Sequence, residues 1–141
     1  KKKGYGQIIN ISSGCGWRGL PEAAAYSASK FALNGFTESL RVELAPCGIQ
    51  VILFSPGRVG TGIEKRGALY GTVAQSDDGS SQSPRAVAQK IFDASKKSKR
   101  ETILSFRAKI AVHLNYWLPS LLDFLLIRAG KNESHCDRGE E

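Results

Sequence analysis

The sequence predicts an α/β fold that contributes part of a doubly wound parallel sheet with helices on both faces. Two short apolar runs, at 7–11 and 49–54, are typical of buried strands, and a segment with helical periodicity joins them. A strand, a helix and a second strand in this order form a βαβ unit with parallel strands. A parallel sheet needs cover on both faces, and the chain shows too few strands to close one. We therefore expect only the C-terminal half of a larger domain.

The helix between the two strands is predicted over about 23–44. Its apolar side chains recur at spacings of three and four residues, at Leu33, Phe36, Leu40 and Leu44. A second stripe of small residues would let the helix lie close against a sheet, at Ala28, Ala32, Gly35 and Ser39. Pro46 and Gly48 end the helix.

Further elements are predicted after the second strand. Residues 58–82 are irregular, and 75–82 are typical of an exposed, mobile loop. Ser83 as N-cap and Pro84 in the first turn begin a helix that runs to about 98. This helix is expected to bury Val87, Ile91 and Ala94, and residues 101–106 are expected to form a short edge strand.

An apolar helical region follows. One helical stripe carries Ile110, Leu114, Trp117, Leu121 and Leu125, and Pro119 is expected to split the region into two helices. The polar end of the chain predicts a disordered tail. We therefore divide the chain into a domain over 1–106, an apolar helical extension over 107–130 and a tail over 131–141.

The net charge of +7 is concentrated late in the chain, where residues 96–131 carry eight basic and two acidic side chains. A solvated helix end, favoured by the helix dipole, explains this segment most simply. No nucleic-acid-binding signature accompanies the charge, so we expect no nucleic-acid partner. Because an amphipathic apolar stretch follows, a membrane-surface role for 96–128 stays open. No apolar run reaches the roughly 18 residues that a spanning helix needs.

The cysteine content suits a reducing compartment, because Cys15, Cys47 and Cys136 are few and cannot all pair within one chain. We expect a cytoplasmic protein, free or peripheral to a membrane. His135, Cys136 and Asp137 are adjacent in a polar tail and do not make a zinc site, so no metal is expected. The chain contains no Met, which favours a piece of a longer protein.

Tyr26 and Lys30 are the strongest candidates for chemistry. They are four residues apart near the start of a helix, and therefore on one helical face. An ammonium group beside a phenol favours the phenolate, so the pair suits proton exchange with a carbonyl or alcohol oxygen. Ser13 ends the first strand and offers a hydroxyl for the same oxygen, whereas Ser12 points to the other face.

These residues resemble the second half of the short-chain dehydrogenases/reductases. The resemblance rests on the run Ile9 to Ser13, on Tyr26-x-x-x-Lys30, and on Ser55-Pro56-Gly57-Arg58-Val59-Gly60-Thr61. It is close over 6–61 and looser over 83–130. It implies a Rossmann-like doubly wound parallel sheet, of which the chain holds the C-terminal half.

The resemblance also implies an activity and its catalytic residues. The reaction is reversible hydride transfer between NAD(P) and a carbonyl/alcohol pair. Tyr26 is the general acid/base, and Lys30 binds the ribose hydroxyls of the nicotinamide half. Ser13 holds and polarises the substrate oxygen. Pro56 and Gly57 turn the chain past the nicotinamide, while the Val59 backbone and the Thr61 hydroxyl meet its carboxamide.

Two features of the family's first half have no counterpart in this sequence. No glycine-rich phosphate-binding turn follows a strand, since Gly14, Gly16 and Gly19 lie between Ser13 and Tyr26 on the substrate side. The Asn that supports the catalytic Lys from a preceding helix is also missing. A truncated, catalytically inactive fragment or pseudoenzyme is therefore the first alternative.

The end of the chain is similar to relatives of the 11β-hydroxysteroid dehydrogenases, which are membrane-associated. Tyr116 and Trp117 beside Arg107 and Lys109 suit a membrane interface. Packing on the enzyme body or at a dimer contact is an equal alternative. The resemblance implies a lipophilic carbonyl or alcohol substrate. It also implies a homo-oligomer in the full-length protein, paired through the helix that bears Tyr26.

Overall fold

The computed structural model describes residues 1–61, 81–97, 99–103 and 105–130, which form a parallel sheet with helices on both faces. Strand β1 spans Gly6–Ile11, β2 spans Ile49–Ser55 and β3 spans Glu101–Ile103, in the spatial order β1-β2-β3. Both pairs are parallel. The central strand β2 is buried from Val51 to Ser55. The predicted α/β architecture is confirmed.

Helix α1, Ala24–Leu44, connects β1 to β2 and completes the predicted βαβ unit. Gly6 lies opposite Ile49, and Ile11 lies opposite Phe54. A single 3-10 turn, Ala45–Cys47, follows the helix, and Gly48 closes it with a φ of 67°. This left-handed conformation favours glycine, and a Cβ there would collide with the Gly4 carbonyl.

The buried face of α1 differs from the predicted one. Its buried residues are Ser27, Asn34, Thr37 and Leu44. Phe36 is 57% exposed, and the small-residue stripe of Ala28, Ala32, Gly35 and Ser39 faces away from the sheet. The predicted stripe holds for Leu44, which is buried, and in part for Leu33 and Leu40, which are half-buried. It fails elsewhere because polar side chains on the sheet-facing side have partners there. Thr37 Oγ1, for instance, accepts a hydrogen bond of 2.9 Å from Asn10 Nδ2.

Helix α2, Pro84–Lys96, covers the opposite face of the sheet. The Ser83 hydroxyl accepts a hydrogen bond from the Ala86 N–H at 3.2 Å, as its predicted N-cap role requires. Adjacent side chains of β1 point to opposite faces of the sheet. Asn10 contacts α1 on one face, whereas Ile9 packs against an apolar core between the sheet and α2 on the other. That core consists of Phe54, Val87 and Ala94, with Ile9, Val59 and Ile91 against it.

Two boundaries differ from expectation. The edge strand β3 ends at Ile103, and Phe106 already begins a helix whose N-cap is Ser105. Gln82, predicted in an exposed loop, instead forms a parallel bridge with Val59. Ser81 of the predicted loop is described, and residues 75–80 lie outside the described residues. The predicted tail, 131–141, lies outside them entirely.

The apolar region forms two helices, α3 at Phe106–Trp117 and α4 at Pro119–Gly130, so the break at Pro119 is confirmed. The predicted apolar stripe is largely exposed, with Trp117 at 74% and Leu121 at 44%, while Leu122 is buried. Among the described helices, none has both the length and the apolarity needed to cross a membrane. The same residues contain no cluster of three His, Cys, Asp or Glu side chains suited to a metal ion.

Candidate active site

The carboxyl ends of the three strands meet at one edge of the sheet. The β1–β2 register continues beyond β1, because the Ser12 N–H donates to the Phe54 carbonyl at 2.8 Å. Ser13 and Pro56 therefore leave the sheet side by side. A Cβ placed on Gly57 would lie 3.6 Å from the Ser105 Cβ, so the chain after β3 also reaches this edge. In parallel α/β sheets this is the edge at which ligands bind.

Ser13 stands at the end of β1 in an extended conformation and begins a 3-10 turn, Gly14–Gly16. Its Oγ accepts a hydrogen bond of 3.3 Å from the Cys15 N–H and is half-buried at the edge. The hydroxyl proton is not used by this bond, since a hydroxyl both donates and accepts. Ser12 is buried against α1, where its hydroxyl donates to Asn34 Oδ1.

Tyr26 and Lys30 lie on the first two turns of α1, and both are half-buried. The Lys30 ammonium donates to the carbonyl of Ile11 at 3.2 Å and lies 5.6 Å from the centroid of the Tyr26 ring. It therefore connects helix α1 with the end of β1, two residues before Ser13. The bond to Ile11 occupies one of three ammonium donors.

The segment after β2 turns at Pro56 and Gly57 and is then held by Gln82. The Gly60 N–H donates to the Gln82 carbonyl at 3.1 Å, and the Thr61 N–H donates to the Val59 carbonyl at 2.8 Å. Pro56, Gly57 and Val59 are half-buried, while Thr61 is exposed. The structure thus brings Pro56 and Gly57 to the edge that holds Ser13, and it leaves Thr61 at the outer end of the segment.

The loop between Ser13 and Tyr26 makes contacts that the sequence analysis missed. The Trp17 indole N–H donates to Ser55 Oγ at 3.3 Å and joins this loop to the end of β2. Arg18 binds the C-terminal helices, with Nη1 donating to Asn115 Oδ1 at 2.7 Å and Nη2 paired with Asp123. Asn115 Nδ2 in turn donates to the Trp17 carbonyl at 3.3 Å. Helices α3 and α4 are therefore anchored on the loop beside Ser13.

Arg18 is distant from its partners along the chain, so no local pattern could have revealed this contact. Asn115 is 97 residues away and Asp123 is 105 residues away. The Arg18 side chain is only 21% exposed, whereas that of Asp123 is 56% exposed. Charged hydrogen bonds at a partly buried site contribute more than surface ion pairs do. Arg18 is thus the main polar link described between the C-terminal helices and this loop.

Comparison with known proteins gives consistent matches. The family described as short chain dehydrogenase matches residues 1–68. A dehydrogenase/reductase SDR family protein 7-like from Drosophila melanogaster is 35% identical over 133 residues, covering 90% of this chain and 40% of that protein. A 3-ketodihydrosphingosine reductase from Bacteroides thetaiotaomicron is 41% identical over 78 residues, covering 55% of this chain and 29% of that protein.

A solved structure shows the same fold. A short-chain dehydrogenase from Burkholderia cenocepacia in complex with NADP has a TM-score of 0.72 and 26% sequence identity. The match covers 89% of this chain and 48% of that one. The chain thus spans less than half the length of each of these three proteins. The likeness confirms a Rossmann-like parallel sheet.

The anchor at Arg18 gives a testable prediction. Replacing Arg18 with Ala removes the bonds to Asn115 and Asp123, so α3 and α4 should open more often. We expect amide hydrogen exchange in α4 to accelerate roughly tenfold, which corresponds to about 1.4 kcal/mol. Exchange in the middle of α1 should stay unchanged. Arg100→Ala is the matched control, because its side chain is 68% exposed. Equal exchange in α4 for wild type and Arg18→Ala would refute the anchor.

Proposed function

The chain belongs to the short-chain dehydrogenase/reductase family, and on that premise we propose that the protein interconverts a carbonyl and an alcohol with NAD(P). The observation that carries this proposal is the position of Lys30. Its ammonium donates to the carbonyl of Ile11, two residues before Ser13, and lies 5.6 Å from the centroid of the Tyr26 ring. Serine and tyrosine hydroxyls with an adjacent ammonium form a proton-transfer set at a ligand-binding edge.

The residues at this edge suit the nicotinamide half of the cofactor. Lys30 keeps two ammonium donors for ribose hydroxyls, and Tyr26 supplies a third polar group beside them. Gly57 leaves little space behind it, since a Cβ there would lie 3.1 Å from Gln82 Nε2. The turn at Pro56 and Gly57 would carry the chain past the nicotinamide ring. Val59 and Thr61 would hold the carboxamide from the same segment.

The mechanism follows from these positions. A bound nicotinamide supplies the hydride for carbonyl reduction or accepts it during alcohol oxidation. Ser13 Oγ–H donates to the substrate oxygen and orients it. The Tyr26 hydroxyl transfers its proton to that oxygen as the carbonyl is reduced, and takes it back in the reverse reaction. Lys30 stabilises the phenolate that Tyr26 becomes.

The oxidoreductase proposal has one principal rival, a catalytically inactive fragment or pseudoenzyme. Two facts favour the enzyme. Ser13, Tyr26 and Lys30 are all retained, and the Burkholderia relative was solved in complex with NADP. Binding of the reduced cofactor and turnover distinguish the two possibilities.

Tyr26→Phe tests the assigned acid/base. The variant keeps the ring and loses the proton, so kcat in the full-length protein should fall by about 10²- to 10⁴-fold. The measurement is oxidation of NADH and of NADPH with a panel of aliphatic, aromatic and steroid ketones. The melting temperature should stay the same, because Tyr26 is half-buried and the substitution keeps its ring.

Tyr5→Phe is the matched control, because Tyr5 is exposed and lies before β1. It should retain wild-type turnover. Near wild-type turnover in Tyr26→Phe would refute the assignment of the acid/base. Wild-type protein that binds neither NADH nor NADPH and reduces no ketone with either cofactor would establish the inactive alternative instead.

We also propose that the full-length protein is a homo-oligomer and that a second copy covers the outer face of α1. Phe31, Phe36 and Val42 are exposed there, and a Cβ on Gly35 would meet nothing within 4 Å. An exposed apolar patch of this kind on a helix is typical of a surface that another protein covers. Small residues between the aromatic ones let a partner helix approach closely.

A charge on this face should separate the copies. Phe36→Glu places a carboxylate in the proposed contact, so the mass measured by light scattering should fall to that of a monomer. Phe92→Glu is the control, because Phe92 is also exposed but lies on α2. A monomeric wild-type protein, or an unchanged mass in Phe36→Glu, would contradict the proposed interface.

Helices α3 and α4 favour a lipophilic substrate and peripheral contact with a membrane. Their exposed apolar side chains include Tyr116, Trp117, Leu121 and Phe124, and eight basic residues lie within 96–131. Apolar side chains beside basic ones bind anionic lipid surfaces. The Bacteroides relative is named for the reduction of a sphingoid ketone. A membrane-surface module formed by residues 96–128 is the second alternative to the oxidoreductase.

Vesicle binding tests this contact. Wild-type protein should co-sediment with phosphatidylserine-containing liposomes, and Trp117→Ala with Leu121→Ala should weaken binding at least about tenfold through lost apolar burial. Tyr5→Ala, which removes an exposed aromatic residue elsewhere, should bind like wild type. Absence of wild-type binding at low ionic strength would exclude the membrane contact.

A further inference from the structure

Asn34 holds the loop that carries Ser13. The residue is 6% exposed and lies on α1 among side chains that face the sheet. Its Oδ1 accepts a hydrogen bond of 2.5 Å from Ser12 Oγ, and its Nδ2 donates to the Gly16 carbonyl at 2.7 Å. One amide thus binds the chain on both sides of Ser13.

The packing around this amide is tight. A Cβ on Gly16 would lie 2.8 Å from Ser12 Oγ and 2.9 Å from both polar atoms of the Asn34 amide. Real Cβ atoms do not approach so closely, so only glycine allows the 3-10 turn to reach Asn34. The turn, Ser12 and Asn34 therefore have one mutual arrangement.

The position of Asn34 on α1 links the loop at Ser13 to Tyr26. Asn34 is one turn beyond Lys30 and two turns beyond Tyr26, so all three lie along one side of α1. A rigid helix connects them, since its backbone hydrogen bonds are internal. Whatever fixes Ser12 and Gly16 to Asn34 also fixes the Ser13 hydroxyl relative to the Tyr26 phenol.

We propose that Asn34 is a positioning residue that sets the separation between the Ser13 and Tyr26 hydroxyls. The inference rests on the proposed oxidoreductase function. The amide is chemically required, because it accepts from Ser12 and donates to Gly16 at the same time. An aspartate accepts but cannot donate, and its charge faces the Gly16 carbonyl. A leucine of similar size does neither.

The experiment compares Asn34→Asp and Asn34→Leu with Thr37→Val in the full-length protein. Thr37 is a matched control because it is also buried on α1 and bonded to a β1 side chain, Asn10, but does not touch the loop. The measurements are kcat and KM with NADPH and the fastest-reduced ketone, the melting temperature, and amide hydrogen exchange over 12–17.

We expect both Asn34 variants to lower kcat by about 10- to 100-fold, since displacement of a reacting group by about 1 Å costs on that order. The KM for NADPH should stay within about twofold. Exchange over 12–17 should accelerate. Thr37→Val should lower the melting temperature while kcat stays at the wild-type value. Gly16→Ala, which disturbs the same contact from the loop side, should reproduce the loss of kcat if an Asn34 variant fails to fold.

The outcomes separate this inference from the function on which it rests. If Tyr26→Phe loses turnover while folded Asn34→Asp and Gly16→Ala keep it, the inference about Asn34 fails alone. An equal loss of kcat in Thr37→Val would also overturn it, because a general effect of core polarity would then suffice. Equal turnover in wild type and Tyr26→Phe overturns the proposed function, and the positioning role with it.

Discussion

Two strands that pair in parallel cannot be joined by a short turn, so the chain between β1 and β2 must return across one face of the sheet. Helix α1 makes this return and therefore runs opposite to both strands. Its first turns consequently lie at the carboxyl ends of the strands. This geometry places Tyr26 and Lys30 beside the end of β1, where Lys30 donates a hydrogen bond to the Ile11 carbonyl. The site depends on this pairing more than on any single side chain.

The two faces of the sheet have different roles. Apolar packing on the α2 face stabilises the fold, whereas hydrogen-bonded polar groups on the α1 face position the site. The α2 face is apolar, and Phe54 packs there with Val87 and Ala94. The α1 face instead buries polar groups, among them Asn34 and Thr37, each of which is hydrogen-bonded. An unsatisfied buried polar group costs about 1–3 kcal/mol, so such groups persist only where their partners are fixed. A site whose side chains must stand at defined distances needs such fixed hydrogen-bond partners.

The elements with local signals were predicted from the sequence. Strand–helix–strand order, the Ser83 cap and the break at Pro119 each depend on neighbouring residues. Ser13, Tyr26 and Lys30 were found from their spacing together with the family resemblance, and their roles remain proposals. The buried side of α1 was predicted only in part, because apolar periodicity does not identify a buried Asn that has two hydrogen-bond partners. Arg18 was missed because its partners are distant in sequence. A polar residue four positions after Lys30, on the same face, was the one available signal for Asn34.

A double-mutant cycle between Ser13→Ala and Tyr26→Phe tests the central claim most directly. If both hydroxyls act on one substrate oxygen, their losses in kcat are coupled. The double variant should then be little slower than Tyr26→Phe alone, because the two groups work as a unit. Independent roles would instead give losses that multiply across the cycle. Multiplying losses, with cofactor binding intact in all variants, would contradict a shared site at the carboxyl edge.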